Sequence, residues 1–183
     1  MKLHLLHDSS NSSVVDLLEL EMGQIKDDNI ATNYHPDYKT NPGNLFYILN
    51  DPNGRYHKGA YYVLEDGGEF ICSAGWNEYE LDSNIALVLT RMYVSPKYRV
   101  NYHVANHILP EILKEVTQYK HVWATVNEYN RGLYQWFVRD QSGKRTALFN
   151  DWPDIYRKFK PIGKKNIYFT EQYVIELDRN IND

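Results

Sequence analysis

The sequence predicts an α/β domain of three layers, with a central mixed, mostly antiparallel sheet between helices. Three observations predict it. Strand-like runs separated by tight turns follow an N-terminal helical segment. The run "IALVLTRMYV" (85–94) is apolar on both faces, as a central strand covered on both sides must be. A helix, a strand, a short helix and a terminal hairpin then follow, which is the order of one sheet wrapped by helices.

Residues 2–6 are expected as a short first strand. Ser13 caps a helix, with Asp16 three residues on, and Val14, Leu18, Met22 and Ile25 recur on one face. Residues 26–44, with Pro36, Pro42 and Gly43, read as a long loop or broken helix. "LFYIL" (45–49) runs into a turn at "DPNG" (51–54). "GAYYVLEDGGEFICSAGW" reads as a hairpin around Asp66 and Gly67. Pro96 ends the central strand. A helix over 101–118 follows, with Val104, Ile108, Ile112 and Val116 at four-residue spacing and a kink expected at Pro110. "HVWATVNE" (121–128) is the next strand and 130–139 the next helix. "NIYF" (166–169) and "QYVIEL" (172–177) pair as the terminal hairpin.

The bulk numbers bound the class. A chain of 183 residues with 43% apolar and 24% charged residues builds one globular domain, 1–183. A net charge of −4 gives no general attraction to nucleic acid or anionic membrane. No apolar run reaches a signal peptide or the roughly 18 residues of a membrane span, so a cytoplasmic protein without membrane contact is expected. The single cysteine, Cys72, cannot form an internal disulfide and sits in a strand interior, where a thiol is buried and inert. Tyrosine supplies 16 of the aromatic side chains and suits both a core and a polar-lined cleft.

One junction carries chemistry. In "LTRMYVSPKYRVNYHVANHIL" (89–109) a buried strand meets a proline, an arginine and then a helix. Amide N–H groups at such a helix start can hold a phosphate. The second block is "VNEYNRGLYQWF", at the end of the following strand.

These two blocks, in this order of elements, resemble the GNAT superfamily of acyl-CoA-dependent N-acetyltransferases. The likeness covers about residues 45–140, and the terminal hairpin fits it. Val94, Pro96, Tyr98 and Arg99 match the family's V-x-P-x-Y-R. Val100, Tyr102 and Val104 stand where the family has glycines. Bulky residues resist positive φ, so the turn is expected to depart from the family's conformation. The resemblance implies that the amides of Val100, Asn101, Tyr102, His103 and Val104 face a cofactor pyrophosphate, with Arg99, Asn101 and His103 as side-chain donors. It implies a sheet splayed between two parallel strands, with Met92, Tyr93 and Val94 pairing the pantetheine arm of acetyl-CoA, the co-substrate.

In the second block Asn127, Asn130 and Tyr134 fit the family's N-x-x-(A/N)-x-x-x-Y. The family's asparagine lines the pantetheine arm, and its tyrosine protonates the departing thiolate. A phenol is protonated at neutral pH and can do this. Val138 and Arg139 replace the family's glycine and phenylalanine. Glu78 and Glu80 are candidates for the general base that takes the amine proton, and they also read as solvated hairpin charges.

Other signals are weaker. His103 and His107 have the i, i+4 spacing of zinc ligands, but no third ligand stands at diagnostic spacing, so no metal is expected. Residues 139–165 hold eight Lys and Arg against three Asp, with Trp152, Tyr156 and Phe159 interleaved. That segment suits contact with phosphates or a solvated surface. The readings that follow are an N-acetyltransferase acting on an unidentified small-molecule or peptide amine, a degenerate GNAT-like accessory protein, and, with less support, a nucleic-acid-modifying protein. A homodimer is compatible with the family.

Overall fold

The computed structural model describes residues 1–6, 59–81, 84–99, 101–126, 158–167 and 170–178, together with Arg131, Tyr134, Gln135, Val138 and Ile155. Seven strands form one sheet: β1 (Lys2–Leu6), β2 (Gly59–Asp66), β3 (Glu69–Leu81), β4 (Asn84–Val94), β5 (His121–Val126), β6 (Phe159–Ile167) and β7 (Thr170–Leu177). Their spatial order is β1-β2-β3-β4-β5-β7-β6. β4 and β5 run parallel, and every other neighbouring pair is antiparallel. The mixed, mostly antiparallel sheet expected from the sequence is present.

The β2–β3 hairpin turns on Gly67 and Gly68, with φ of +57° and +84°. Two consecutive positive φ values are what a two-residue turn matched to strand twist requires, and glycine adopts them without strain. β4 holds Ala86, Leu87, Val88 and Leu89 all buried, so both of its faces are covered. On one face Tyr62, Leu64, Trp76, Leu87 and Leu89 pack with Ile108, Leu109 and Ile112 of the following helix. On the other, Ala86, Val88, Trp123, Ile167 and Val174 form a smaller cluster.

That helix does not run regularly over 101–118. It opens with a π-helical turn, Val104–Ile108, continues as α1, Leu109–Glu115, and ends in a 3-10 turn, Val116–Gln118. The Leu109 N–H reaches back to the Val104 carbonyl. Pro110, next in line, has no N–H to donate, and its ring would clash with the Asn106 carbonyl in a regular helix. The wider turn just before the proline accommodates it, so the expected kink takes the form of a π segment.

Two strand boundaries differ from expectation. β3 reaches Leu81, past Trp76. β6 begins at Phe159, far upstream of Asn166. The expected helix from Ser13, the loop 26–44 and the strand 45–49 lie outside the described residues. Arg131, Tyr134, Gln135 and Val138 are helical, as expected of 130–139. No helix among the described residues is long and apolar enough to cross a membrane.

Candidate functional site

The parallel β4–β5 ladder runs from Ala86 opposite His121 to Leu89 opposite Ala124, and there it stops. β4 continues to Val94 and β5 to Val126. The cause lies on the far side of β4. Thr90 faces Gly75 and Tyr93 faces Ser73, which leaves Arg91 and Met92 together opposite Ala74. An extra residue in one strand bends it and raises its twist. The bulge therefore falls within three residues of the last β4–β5 rung, and the two strands part beyond it. Met92, expected at this opening, is 44% exposed, an unusual state for a methionine beside the core. Tyr93 is turned inward and stacks on Phe70 at 5.9 Å. Val94 is half-buried against the helix-side core.

β4 leads directly into the turn 95–103. The Ser95 N–H donates to the Ile71 carbonyl at 2.9 Å, and Pro96–Tyr98 form one 3-10 turn. Lys97 and the Tyr98 hydroxyl both reach Glu69 at 2.9 Å, tying the turn to the start of β3. The Lys97 ammonium, then the Tyr98 hydroxyl, hold the Glu69 carboxyl below its usual range. Arg99 Nε donates to the Val94 carbonyl at 3.2 Å.

Tyr102 corrects the expectation drawn from the missing glycines. Its φ is +51°, the one positive value among the described non-glycine residues. The turn thus keeps a left-handed residue at a position where the family has glycine, at a local cost of about 1–2 kcal/mol. Packing holds it there: the Tyr102 ring lies against the helix-side core, and its carbonyl accepts the Asn106 N–H at 3.0 Å. Asn101 donates to the Tyr98 carbonyl at 3.2 Å. His103, the N-cap, makes no side-chain cap bond. Its two ring nitrogens are buried and have no hydrogen-bond partner among the described residues. The ring lies edge-on to Tyr98 and stacked on His107, 5.7 Å from each. Burial first, and the neighbouring His107 second, keep the His103 imidazole below its ordinary pKa. Val104 is buried in the first turn of the helix. Val100, Asn127 and Asn130 lie outside the described residues.

Tyr134 belongs to the other arm of the opening. It is 8% exposed, and its ring packs on Tyr173, centroid to centroid 4.8 Å. Tyr173 pairs with Val126, two residues past the last β4–β5 rung. The Tyr134 oxygen accepts the Gly163 N–H at 2.9 Å.

Glu78 and Glu80 lie on β3, short of the rung where this opening begins. They pair with Leu87 and Ile85, toward the beginning of β4. At about 3.3 Å per residue they stand roughly 7 and 13 Å along the strand from the Leu89 rung, and roughly 17 and 23 Å from Met92. Glu78 accepts the Tyr119 hydroxyl at 2.5 Å. Burial, then that bond to Glu78, raises the Tyr119 phenol well above its usual range, so it remains a donor. An open groove of about 580 Å³ beside Lys120, His121, Lys160 and Glu176 is at the wrong end. It adjoins the start of β5 and is crossed by the His121–Glu176 pair at 2.7 Å and the Lys160–Asp178 pair. The residue that sequence reasoning missed is Gly163. Its signal was present as Pro161 and Gly163 within one short segment, the mark of a bulged strand.

No family model and no curated protein matches the sequence. Solved structures do. An aminoglycoside 6'-acetyltransferase of type Ii superposes with a TM-score of 0.60 at 10% identity, covering 100% of both chains. The PaiA N-acetyltransferase of Thermoplasma acidophilum, crystallised with coenzyme A, gives 0.56 at 11% identity over 97% of this chain and 99% of its own. An aminoglycoside N(6')-acetyltransferase of Legionella pneumophila gives 0.56 at 17% identity, over 97% and 93%. At such identities the likeness is one of architecture, and it agrees with the strand order and the single parallel pair: the chain has the fold of the GNAT acetyltransferases.

Proposed function

We propose that the chain is an acyl-CoA-dependent N-acetyltransferase that moves an acetyl group to an amine by direct attack. The observation that carries this is the parting of β4 from β5 beside the β4 bulge, which opens the sheet next to a helix start. Among the structural neighbours, the PaiA N-acetyltransferase and an aminoglycoside 6'-N-acetyltransferase were crystallised with coenzyme A, and several are aminoglycoside acetyltransferases. By analogy, acetyl-CoA is the co-substrate and a small-molecule amine the acceptor.

The residues present suit such a group. Tyr102 holds a left-handed backbone in the turn, His103 makes no side-chain cap bond, and its two ring nitrogens have no partner among the described residues. Arg99, Tyr102, His103 and Val104 would hold the diphosphate, while the Asn101 N–H, expected to face it, is already given to the Tyr98 carbonyl; Met92, Tyr93 and Val94 would line the pantetheine arm. Acetyl-CoA supplies an activated acyl group. Tyr134 would give its proton to the departing sulfur, as a positioned general acid. Glu78 and Glu80, about 7 and 13 Å along the strand from the Leu89 rung, would be the candidates to take the amine proton, directly or through water.

Calorimetric titration with acetyl-CoA tests the proposal. Arg99→Ala is expected to weaken binding about tenfold or more, the worth of one charge-assisted bond. Tyr134→Phe is expected to leave binding intact. Absence of binding at millimolar acetyl-CoA would remove the enzyme reading.

A second reading rests on Arg99. Its bond to the Val94 carbonyl engages a backbone acceptor at the very strand end meant for the pantetheine arm. A GNAT-like accessory protein without catalysis would keep that bond. A crystal soaked with CoA that shows Arg99 still on Val94 and an empty cleft would favour it.

A further inference from the structure

The bulge in β6 has no role in the reading above, yet it points a backbone donor at the one side chain proposed as acid. Ile175 faces Pro161 and Val174 faces Gly163, so Ile162 is the extra residue. Gly163 sits there with φ of +95°, in a region that side-chain-bearing residues rarely adopt. Its N–H leaves the ladder and meets the Tyr134 oxygen at 2.9 Å. A phenol oxygen carries one proton and two lone pairs. The Gly163 bond occupies one lone pair, and no described residue accepts the Tyr134 proton. The ring itself is fixed by Tyr173, over which Lys164 Nζ lies at 4.8 Å.

We propose that Gly163 is a positioning residue: its N–H, freed by the β6 bulge, orients the Tyr134 hydroxyl so that the phenol proton faces the sulfur of the thioester. The inference rests on the proposed role of Tyr134 as acid. The amine nitrogen bonds to the thioester carbonyl carbon, and the carbon–sulfur bond breaks. The sulfur takes the Tyr134 proton and leaves as a thiol, and the surplus proton on nitrogen passes to water. The phenolate left behind regains a proton from water. While it lasts, its charge strengthens the bond from Gly163, since a charged acceptor roughly doubles such a bond. The donor thus helps more after proton transfer than before it, which is the condition for catalysis.

The test is the Gly163 amide signal in the nitrogen-15 NMR spectrum of glycine-labelled protein. The chain has ten glycines, and Gly163→Ala identifies the peak by its loss. Tyr134→Phe is expected to move that peak upfield and to speed its exchange with solvent, because the acceptor is gone. Saturation with CoA is expected to move it downfield as the phenol donates to sulfur and the two bonds reinforce each other. Desulfo-CoA, which lacks the sulfur, should bind without that shift. A peak that is indifferent to Tyr134→Phe, or that responds alike to CoA and desulfo-CoA, overturns the positioning role while leaving the cofactor site standing. Failure of both ligands to bind removes the enzyme reading and this inference together.

Discussion

The Trp76 indole N–H donates to Glu115 Oε2 at 3.0 Å, while the Tyr62 hydroxyl donates to Oε1 at 3.1 Å. One carboxylate at the end of α1 thus satisfies two donors buried on the sheet, one from β2 and one from β3. Removing it strands both. Glu115→Leu is expected to lower stability by about 2–4 kcal/mol, one to two for each orphaned donor. Glu115→Gln keeps an acceptor oxygen and should lose about half as much. Urea midpoints with unchanged m-values would check this, and equal losses for the two variants would show that burial of the leucine, not the lost acceptor, decides.

Tyr102 offers a test of backbone strain. At most positions alanine is more stable than glycine, because glycine loses more freedom on folding. At φ of +51° the order should reverse. Tyr102→Ala and Tyr102→Gly both lose the ring's packing, so their difference isolates the backbone. Glycine is expected to be the more stable by about 1 kcal/mol. Alanine equal to or better than glycine would mean that the turn is not left-handed in solution.

His103 sets an acid limit. Its folded-state pKa lies below the ordinary 6.5, so as pH falls the unfolded chain takes up the proton first. Stability is therefore full above about pH 6.5 and declines as pH drops toward the folded value. His103→Phe keeps a flat ring between Tyr98 and His107 without a titrating group. The difference in urea midpoint between pH 7.5 and pH 5 should shrink in that variant. An unchanged difference would assign the acid sensitivity elsewhere.

Cys72 is fully buried, and burial pushes its thiol up to about 12. Little thiolate exists at pH 8, and little of it is accessible. The native protein should react with an aromatic disulfide reagent only as fast as it unfolds, so urea should accelerate the reaction in step with the unfolding transition. Prompt reaction without denaturant would contradict the packing of β3.

Much of the sheet was readable because its strands follow simple patterns. Asp66 and Gly67 announced a tight hairpin, whose turn falls one residue later at Gly67 and Gly68, and the run 85–94 announced a strand covered on both faces. The hairpin partner of β7 was read at 166–169, but most of β6 upstream of it was not, since along its nine residues only Phe159 and Ile167 are buried. An edge strand with so little apolar content carries almost no alternation to detect. The parting of β4 from β5 followed from family resemblance, but its cause, two residues set against Ala74, is a matter of register between strands. No single-strand pattern records that. The left-handed Tyr102 was misread because local preference was taken to govern it. Contacts with the core, distant in sequence, decide it instead. Gly163 was hidden for the same reason: its partner, Tyr134, lies on a helix 29 residues away.

The sheet's last strand also bears on solution behaviour. Among the described strands β6 is outermost, and outer strands invite unwanted templating by other chains. Pro161 lacks an N–H, the Ile162–Gly163 step interrupts the spacing of the rest, and Lys160 and Lys164 are exposed along it. An incoming strand would find a broken comb of donors set among ion-paired side chains, Lys160 with Asp178 and Lys164 with Glu171. The feature that aims one amide at Tyr134 therefore also discourages fibre growth from that side, so smoothing it to a regular, uncharged strand should make the protein prone to self-association.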